Sequence, residues 1–135
     1  MRLSQIRSFR DVATRFRENW IGYVQEYRVA LILVVLASLA DMASTTHFML
    51  SRGPAAEGHP AVRMLAEIYG PILGPFLGKA VQFLTLIGVT VFLRRWALFI
   101  MVPTVILYAW AAWYNVWGHA LYLPRLVQWL DVLAI

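Results

Sequence analysis

The sequence predicts an all-α, polytopic membrane protein with three transmembrane helices, a basic amphipathic helix before them and a short external interfacial helix between the first two. Of its 135 residues, 61% are hydrophobic and only 14% are charged, too apolar a composition for a soluble domain. Three apolar segments, at about 29–50, 71–93 and 96–119, have the ~20 residues that span a ~30 Å hydrocarbon layer. The arginines lie mostly outside these segments.

Residues 1–28 have the pattern of an amphipathic helix at the membrane surface. Apolar residues recur every three or four positions, and arginines fill much of the remaining circumference. We expect this tail to bind anionic lipid headgroups through Arg7, Arg10, Arg15 and Arg17. Docking onto a larger partner is the alternative. The transmembrane domain then covers 29–123, and residues 124–135 are predicted to be a short amphipathic tail.

The distribution of arginines predicts the orientation. One side of the spans carries Arg10, Arg15, Arg17, Arg28, Arg94 and Arg95, and the other side carries Arg52, Arg63 and Arg125. Because positive charge accumulates on the cytoplasmic side, we expect a cytoplasmic N-terminus and an external C-terminus in a bacterial inner membrane. The basic net charge suits lipid better than nucleic acid, for which no binding module is present. The chain contains no cysteine, which excludes disulfides and thiolate chemistry.

The segment between the first two spans predicts a turn and then a short helix. Gly53 and Gly58 are turn residues, and His59-Pro60 is typical of a helix that begins with proline at its first position. We expect residues 60–69 to form a helix at the external interface. A re-entrant dip into the membrane is the alternative.

Three glycines follow at intervals of four residues, which is the spacing that lets membrane helices approach closely. They are Gly70, Gly74 and Gly78. We expect them to pack against the first span, with a homodimer seam as the alternative. The aromatic residues of the third span, Tyr108 and Trp110 among them, are predicted to form an interfacial belt.

Two opposite charges within the spans predict an ion pair. Asp41 lies 12 residues into the first span, or ~18 Å, and Lys79 lies 8 residues into the antiparallel second span, or ~12 Å. In a ~30 Å layer these are the same depth, and a charge at that depth is costly unless it has a partner or a function. We expect Ser38 and Thr45 on the Asp41 face and Gln82 on the Lys79 face.

The external half of the domain gathers further polar groups. Asn115 lies near the end of the third span, and imidazole and carboxylate ligands for a divalent ion such as zinc could come from His47, Glu57, His59 and His119. No HExxH spacing, nucleophile motif or phosphate-binding glycine loop is present. Lipids and a divalent metal are therefore the only ligands that we consider, and no cofactor is predicted.

The segment from the first span to the second resembles the signature of a small prokaryotic integral-membrane domain family whose function is not established. That family has Asp-x3-Thr, then Glu-x-Asn-Pro, then a lysine and an asparagine in successive spans. The matching residues here are Asp41, Thr45, Glu57, Pro60, Lys79 and Asn115. His59 stands where the family has asparagine, which puts a loop-capping role at this position in doubt. The resemblance implies that the polar cluster is a family feature.

Three functions are compatible with these features. The leading hypothesis is a non-catalytic accessory or scaffold subunit of a larger membrane complex. The alternative is a small oligomeric transporter or channel that uses the intramembrane Asp41–Lys79 pair. A metal-dependent membrane enzyme is the third hypothesis, and the absence of catalytic motifs disfavours it. The expected partners are the lipid bilayer and either other membrane subunits or further copies of the chain.

Overall fold

The computed structural model describes residues 9–118, and every regular element in this part of the chain is a helix. The α-helices are α1 (Phe9–Trp20), α2 (Tyr23–Glu26), α3 (Arg28–Arg52), α4 (Pro60–Phe92) and α5 (Ala97–Trp113). Short 3-10 turns at Pro54–Ala56 and Arg94–Trp96 and a π-helical turn at Tyr114–Gly118 complete the described elements. Arg7, His119 and the tail at 124–135 lie outside the described residues.

Three helical segments are long and apolar enough to cross a membrane, in agreement with the predicted fold class. They are Arg28–Arg52, Pro60–Phe92 and Arg94–Trp117. α3 packs most extensively against α5. The chain passes up through α3, down through residues 71–92 of α4 and up through α5. We call the end of the bundle that carries α1 the α1 end.

A buried cluster at the α1 end joins α2 to the three long helices. Its fully buried members include Tyr23, Val34, Val91 and Met101. The Tyr23 hydroxyl lies 2.6 Å from Thr90 Oγ1. Thr90 donates its own proton to the Leu86 carbonyl at 2.7 Å, so Tyr23 is the donor to Thr90. Burial raises the pKa of the Tyr23 hydroxyl, because a phenolate would lose its hydration there.

Arg94 fastens the N-terminal helix to the bundle. Its guanidinium donates to the carbonyls of Asn19 and Ile21 at 2.9 and 2.8 Å, and it also pairs with Glu26. Asn19 in turn donates to the Phe92 carbonyl at 3.1 Å. Together these bonds satisfy carbonyl groups that the end of α1 and the end of α4 leave without helical partners. Hydrogen bonding from Arg94 lowers the pKa of Glu26.

α1 presents basic residues to its surroundings as the sequence pattern predicts. Arg10 and Arg17 are exposed, whereas the Arg15 guanidinium lies over the Phe92 ring at 4.8 Å from its centroid. Aromatic side chains on the same helix also remain accessible, and Phe9 is almost fully so. Of the predicted surface arginines that are described, Arg15 therefore contributes to packing against α4 as well.

α4 is a helical hairpin rather than one straight helix. Gly70 has φ 90° and ψ 167°, which breaks the helix and is a conformation that glycine adopts readily. A Cβ on Gly74 would lie 2.5 Å from the backbone nitrogen of Ala66, and one on Gly78 would lie 3.4 Å from Val62 Cγ2. Residues 60–69 therefore fold back antiparallel to residues 71–80. Pro71 begins the second half, where its missing N–H costs no helical bond.

This hairpin corrects two expectations. Gly74 and Gly78 make room for residues 60–69, not for the first span, because the chain reverses direction at Gly70, four residues before Gly74 and eight before Gly78. Gly70 makes no close contact and serves as the bend instead. Residues 60–69 are helical from Pro60, but they pack against residues 71–80 and the end of α3 rather than forming a separate interfacial helix, because Val62 and Ala66 are buried with Phe48 and Met49.

Candidate functional site

The ammonium group of Lys79 is held by three different kinds of partner between the long helices. It pairs with the carboxylate oxygen Oδ2 of Asp41 on α3. It donates to Gln82 Oε1 at 3.0 Å, and it lies 3.6 Å from the ring centroid of Tyr108 on α5. Carboxylate, amide oxygen and aromatic face each stabilise a cation. The pairing of Asp41 with Lys79 that the depth argument predicts is therefore present in the structure, with Gln82 beside it.

Tyr108 differs from the belt residues among which the sequence placed it. Its hydroxyl donates to Gln82 Oε1 at 3.1 Å, and its ring faces the Lys79 ammonium. Trp110, two residues further on, is exposed as a belt residue should be. The difference arises because α5 turns only one face towards α3 and α4. Tyr108, Ala111 and Asn115 recur at three- and four-residue spacing on that face, and this periodicity was the signal that could have identified Tyr108.

Asn115 joins α5 to α3 about one turn away from the ion pair. Its Nδ2 donates to Ser44 Oγ at 3.2 Å and to Thr45 Oγ1 at 3.0 Å. Ser44 in turn donates to the carbonyl of Asp41 at 2.9 Å. Asn115 lies in the π-helical turn, a form of backbone that is rare and frequently occurs at functional sites. Ser44 was not predicted, and its position three residues from Asp41 was the available signal.

The N-terminus of residues 60–69 meets this cluster through Glu57 and His59. The backbone N–H of His59 donates to Glu57 Oε1 at 2.8 Å, and His59 Nδ1 accepts from the N–H of Val62 at 3.4 Å. His59 therefore caps the helix with its ring nitrogen. The sequence left a capping role at this position in doubt, but the imidazole Nδ1 supplies the acceptor that such a role requires.

A cavity of about 380 Å³, which we call the central cavity, brings these residues together. Its walls come from α3, α4, α5 and the loop before α4. The polar residues that line it are Asp41, Thr45, Glu57, His59, Lys79, Gln82, Tyr108 and Asn115. All five residues of the predicted intramembrane cluster thus line one cavity, and two of the predicted metal ligands lie on its wall.

A second cavity of about 210 Å³ lies between α3 and α4, and we call it the side groove. Its walls are apolar apart from Ser38 and Lys79. Phe76 and Phe83 are among the residues that line it. Lys79 and Met42 line both the central cavity and the side groove, so the two spaces adjoin at these residues. Ser38, which is predicted to lie on the Asp41 face, is buried and lines the side groove, whereas Asp41 lines the central cavity.

The structure separates the predicted metal ligands. His47 is exposed and lines a third cavity with apolar residues of α3 and α4, whereas Glu57 and His59 lie at the central cavity. Among residues 9–118, no three histidine, aspartate or glutamate side chains are grouped closely enough to hold a metal ion. His119, the fourth predicted ligand, lies outside the described residues.

Comparison with known proteins adds no identification. No family model, curated protein or solved structure matches this chain. The resemblance to a small prokaryotic membrane family therefore stays a prediction. The central cavity has to be interpreted from the chemistry of its own side chains.

Proposed function

We propose that this chain is a small proton-coupled transporter in which Asp41 and Lys79 form an exchangeable ion pair. The observation that carries the proposal is the position of the pair on a cavity wall. The Lys79 and Asp41 side chains are 14% and 9% exposed, and Lys79 lines both the central cavity and the side groove. An ion pair that only held helices together would be surrounded by packed side chains. Contact with a cavity adds nothing to such a structural role.

The chemistry of exchange follows from the contacts. When Asp41 takes up a proton, it loses its electrostatic attraction for Lys79. The ammonium then keeps Gln82 and Tyr108 as partners, and the long side chain can move within the space around it. Deprotonation restores the pair. Because an unpaired charge within a membrane is costly, a proton or a solute must bind whenever the Asp41–Lys79 pair breaks. Movement of protons is thereby coupled to movement of solute.

The site is proposed to lie in the outer half of a bacterial inner membrane, with the N-terminus in the cytoplasm. The arginine distribution and the three long apolar helices support this arrangement. α1 would then lie along the cytoplasmic surface with Arg10 and Arg17 on headgroups. The outward face of α5 is broadly exposed and apolar, which favours contact with lipid or with further copies of the chain.

Proton flux in liposomes tests the proposal. The full chain is reconstituted with an internal pH-sensitive dye, and a potassium gradient with valinomycin drives protons inward. We expect wild-type protein to move protons faster than protein-free liposomes and Asp41→Asn to fall to the protein-free rate. Glu67→Gln is the matched control, because it removes an exposed carboxylate outside the cavity. Wild-type flux at the protein-free rate, or unchanged flux in Asp41→Asn, would contradict the proposal.

An accessory or scaffold subunit is the second candidate, and the N-terminal helix favours it. α1 is fixed to the bundle by Arg94 while the Phe9 and Trp20 side chains stay accessible, as a docking helix requires. Native mass spectrometry after mild solubilisation from the natural host separates the two candidates. Partner chains in the mass indicate a subunit, whereas a homo-oligomer supports transport. Metal measured in the same sample tests the third hypothesis, a metal-dependent enzyme.

A further inference from the structure

The Lys79 ammonium occupies a site that is equipped for cations in general. Asp41 supplies a carboxylate, Gln82 an amide oxygen and Tyr108 an aromatic face, and all three converge on one nitrogen atom. Proteins use this combination to recognise organic ammonium groups. The cation that fills the site is attached to α4 by a flexible chain of four methylene groups, so it can be displaced without unfolding a helix.

The charges of the central cavity favour a cation as the displacing group. Among the described residues that line it, the formal charges are two carboxylates, Asp41 and Glu57, and one ammonium, Lys79. Glu57 also stabilises the N-terminal, positive end of the helix at residues 60–69, because its carboxylate accepts a hydrogen bond from the His59 N–H. An anion would have to displace Asp41 from Lys79 and would then meet Glu57. A cation has only to displace Lys79.

The side groove adds an apolar requirement. It reaches the same Lys79 side chain from between α3 and α4, and Leu39, Phe76 and Phe83 contribute to its apolar walls. A ligand whose charged head replaced the ammonium would therefore find room for an alkyl or aromatic tail directly beside it. An apolar tail in the groove adds dispersion contacts with these walls to the binding of the head.

On the basis of the transport proposal, we propose that the solute of this site is an amphipathic organic cation, with its ammonium head at Asp41, Gln82 and Tyr108 and its tail in the side groove. Lys79 acts as a tethered competitor that pairs with Asp41 when neither a proton nor a solute occupies that carboxylate. Binding of the solute moves Lys79 away from Asp41, so solute and lysine alternate at one carboxylate.

Binding to the full chain in lipid nanodiscs tests the ligand class. Titration calorimetry compares octyltrimethylammonium with octanoate, which has a tail of similar length and the opposite charge, after subtraction of empty nanodiscs. We expect the cation to bind at least about tenfold more tightly than the anion, because each ~1.4 kcal/mol of charge discrimination is a factor of ten. Equal binding of the two probes, or tighter binding of octanoate, overturns the inference.

Lys79→Met is the decisive variant, because the proposal predicts that it increases the affinity for the cation. Lys79→Met deletes the competitor, so the affinity for octyltrimethylammonium should rise by about tenfold if the lysine occupies its site ~90% of the time. Tyr108→Leu should weaken binding by about tenfold through loss of the aromatic face, whereas Tyr108→Phe should retain it. Circular dichroism establishes that each variant is folded. Loss of binding in Lys79→Met, or equal effects of the two Tyr108 variants, contradicts the assigned head position.

The tail position has its own test. Ala80→Phe fills the side groove and should weaken octyltrimethylammonium binding while leaving tetramethylammonium, which has no tail, unchanged. Leu84→Phe, at an exposed position outside the groove, is the control. Binding of the cation without proton flux would keep this ligand class and remove the transport proposal. Proton flux that depends on Asp41 without cation binding would keep transport and remove the ligand class.

Discussion

Neutralising one member of the Asp41–Lys79 pair should destabilise the protein far more than neutralising both. Each single variant, Asp41→Asn or Lys79→Met, leaves one charge without its partner in a mostly buried place, and such changes cost about 3–5 kcal/mol. In the double variant no charge remains, the methionine fills the space of the lysine stem, and Gln82 keeps its bond from Tyr108. We expect the double variant to lose only about 1 kcal/mol.

Unfolding of the four proteins in mixed micelles, followed by circular dichroism, gives the four free energies of a double-mutant cycle. The expected coupling between the two positions is at least about 5 kcal/mol, because two single losses of about 3 kcal/mol or more compare with about 1 kcal/mol in the double variant. Single variants within about 0.5 kcal/mol of wild type would refute the reasoning, because the pair would then behave as an exposed salt bridge. Additive losses would refute it too.

Three further predictions concern the supporting structure. Gly74→Ala should lower the free energy of unfolding by about 1–3 kcal/mol, because its Cβ would lie 2.5 Å from a backbone nitrogen of residues 60–69. Gly88→Ala should leave the free energy of unfolding unchanged, because no atom lies within 4 Å of a Cβ at that position. Chemical unfolding of both variants checks this prediction. Tyr23→Phe should cost about 1–2 kcal/mol in the same assay by removing a buried hydrogen bond, and Tyr69→Phe, at an exposed ring, is its control. Glu26 has a folded pKa below its unfolded value, so its stabilisation is complete above the unfolded pKa and is lost as the pH falls through the lower folded pKa. Glu26→Gln should therefore reduce the loss of thermal stability on acidification, and an unchanged pH profile would contradict this assignment.

The helix class and the ion pair could be predicted from sequence because both depend on one-dimensional quantities. Apolar length identifies a span, and the depth of a charge follows from counting residues at ~1.5 Å each. Counting residues in this way was enough to predict that Asp41 and Lys79 lie at the same depth. Thr45 and Gln82 followed as polar residues on the Asp41 and Lys79 helices, and Asn115 followed as an amide near the external end of the third span.

The same reasoning could not distinguish the hairpin in α4 from a close contact between two separate helices. Glycine at every fourth position fits a seam between two helices as well as it fits a close return of one helix on itself. The choice depends on Gly70, whose positive φ reverses the chain, and a sequence does not state which glycine adopts such a backbone. Tyr108 was misplaced for a related reason, because an aromatic residue suits both a lipid interface and a cation site.

Proton flux through the Asp41→Asn/Lys79→Met double variant tests the central claim most directly, because it separates a pair that moves charge from a pair that only holds helices. The double variant and wild type are reconstituted side by side, and folding and flux are measured on the same samples. The account predicts that the double variant is folded but carries protons no faster than protein-free liposomes. Wild-type flux in the folded double variant would contradict it and assign the pair a structural role.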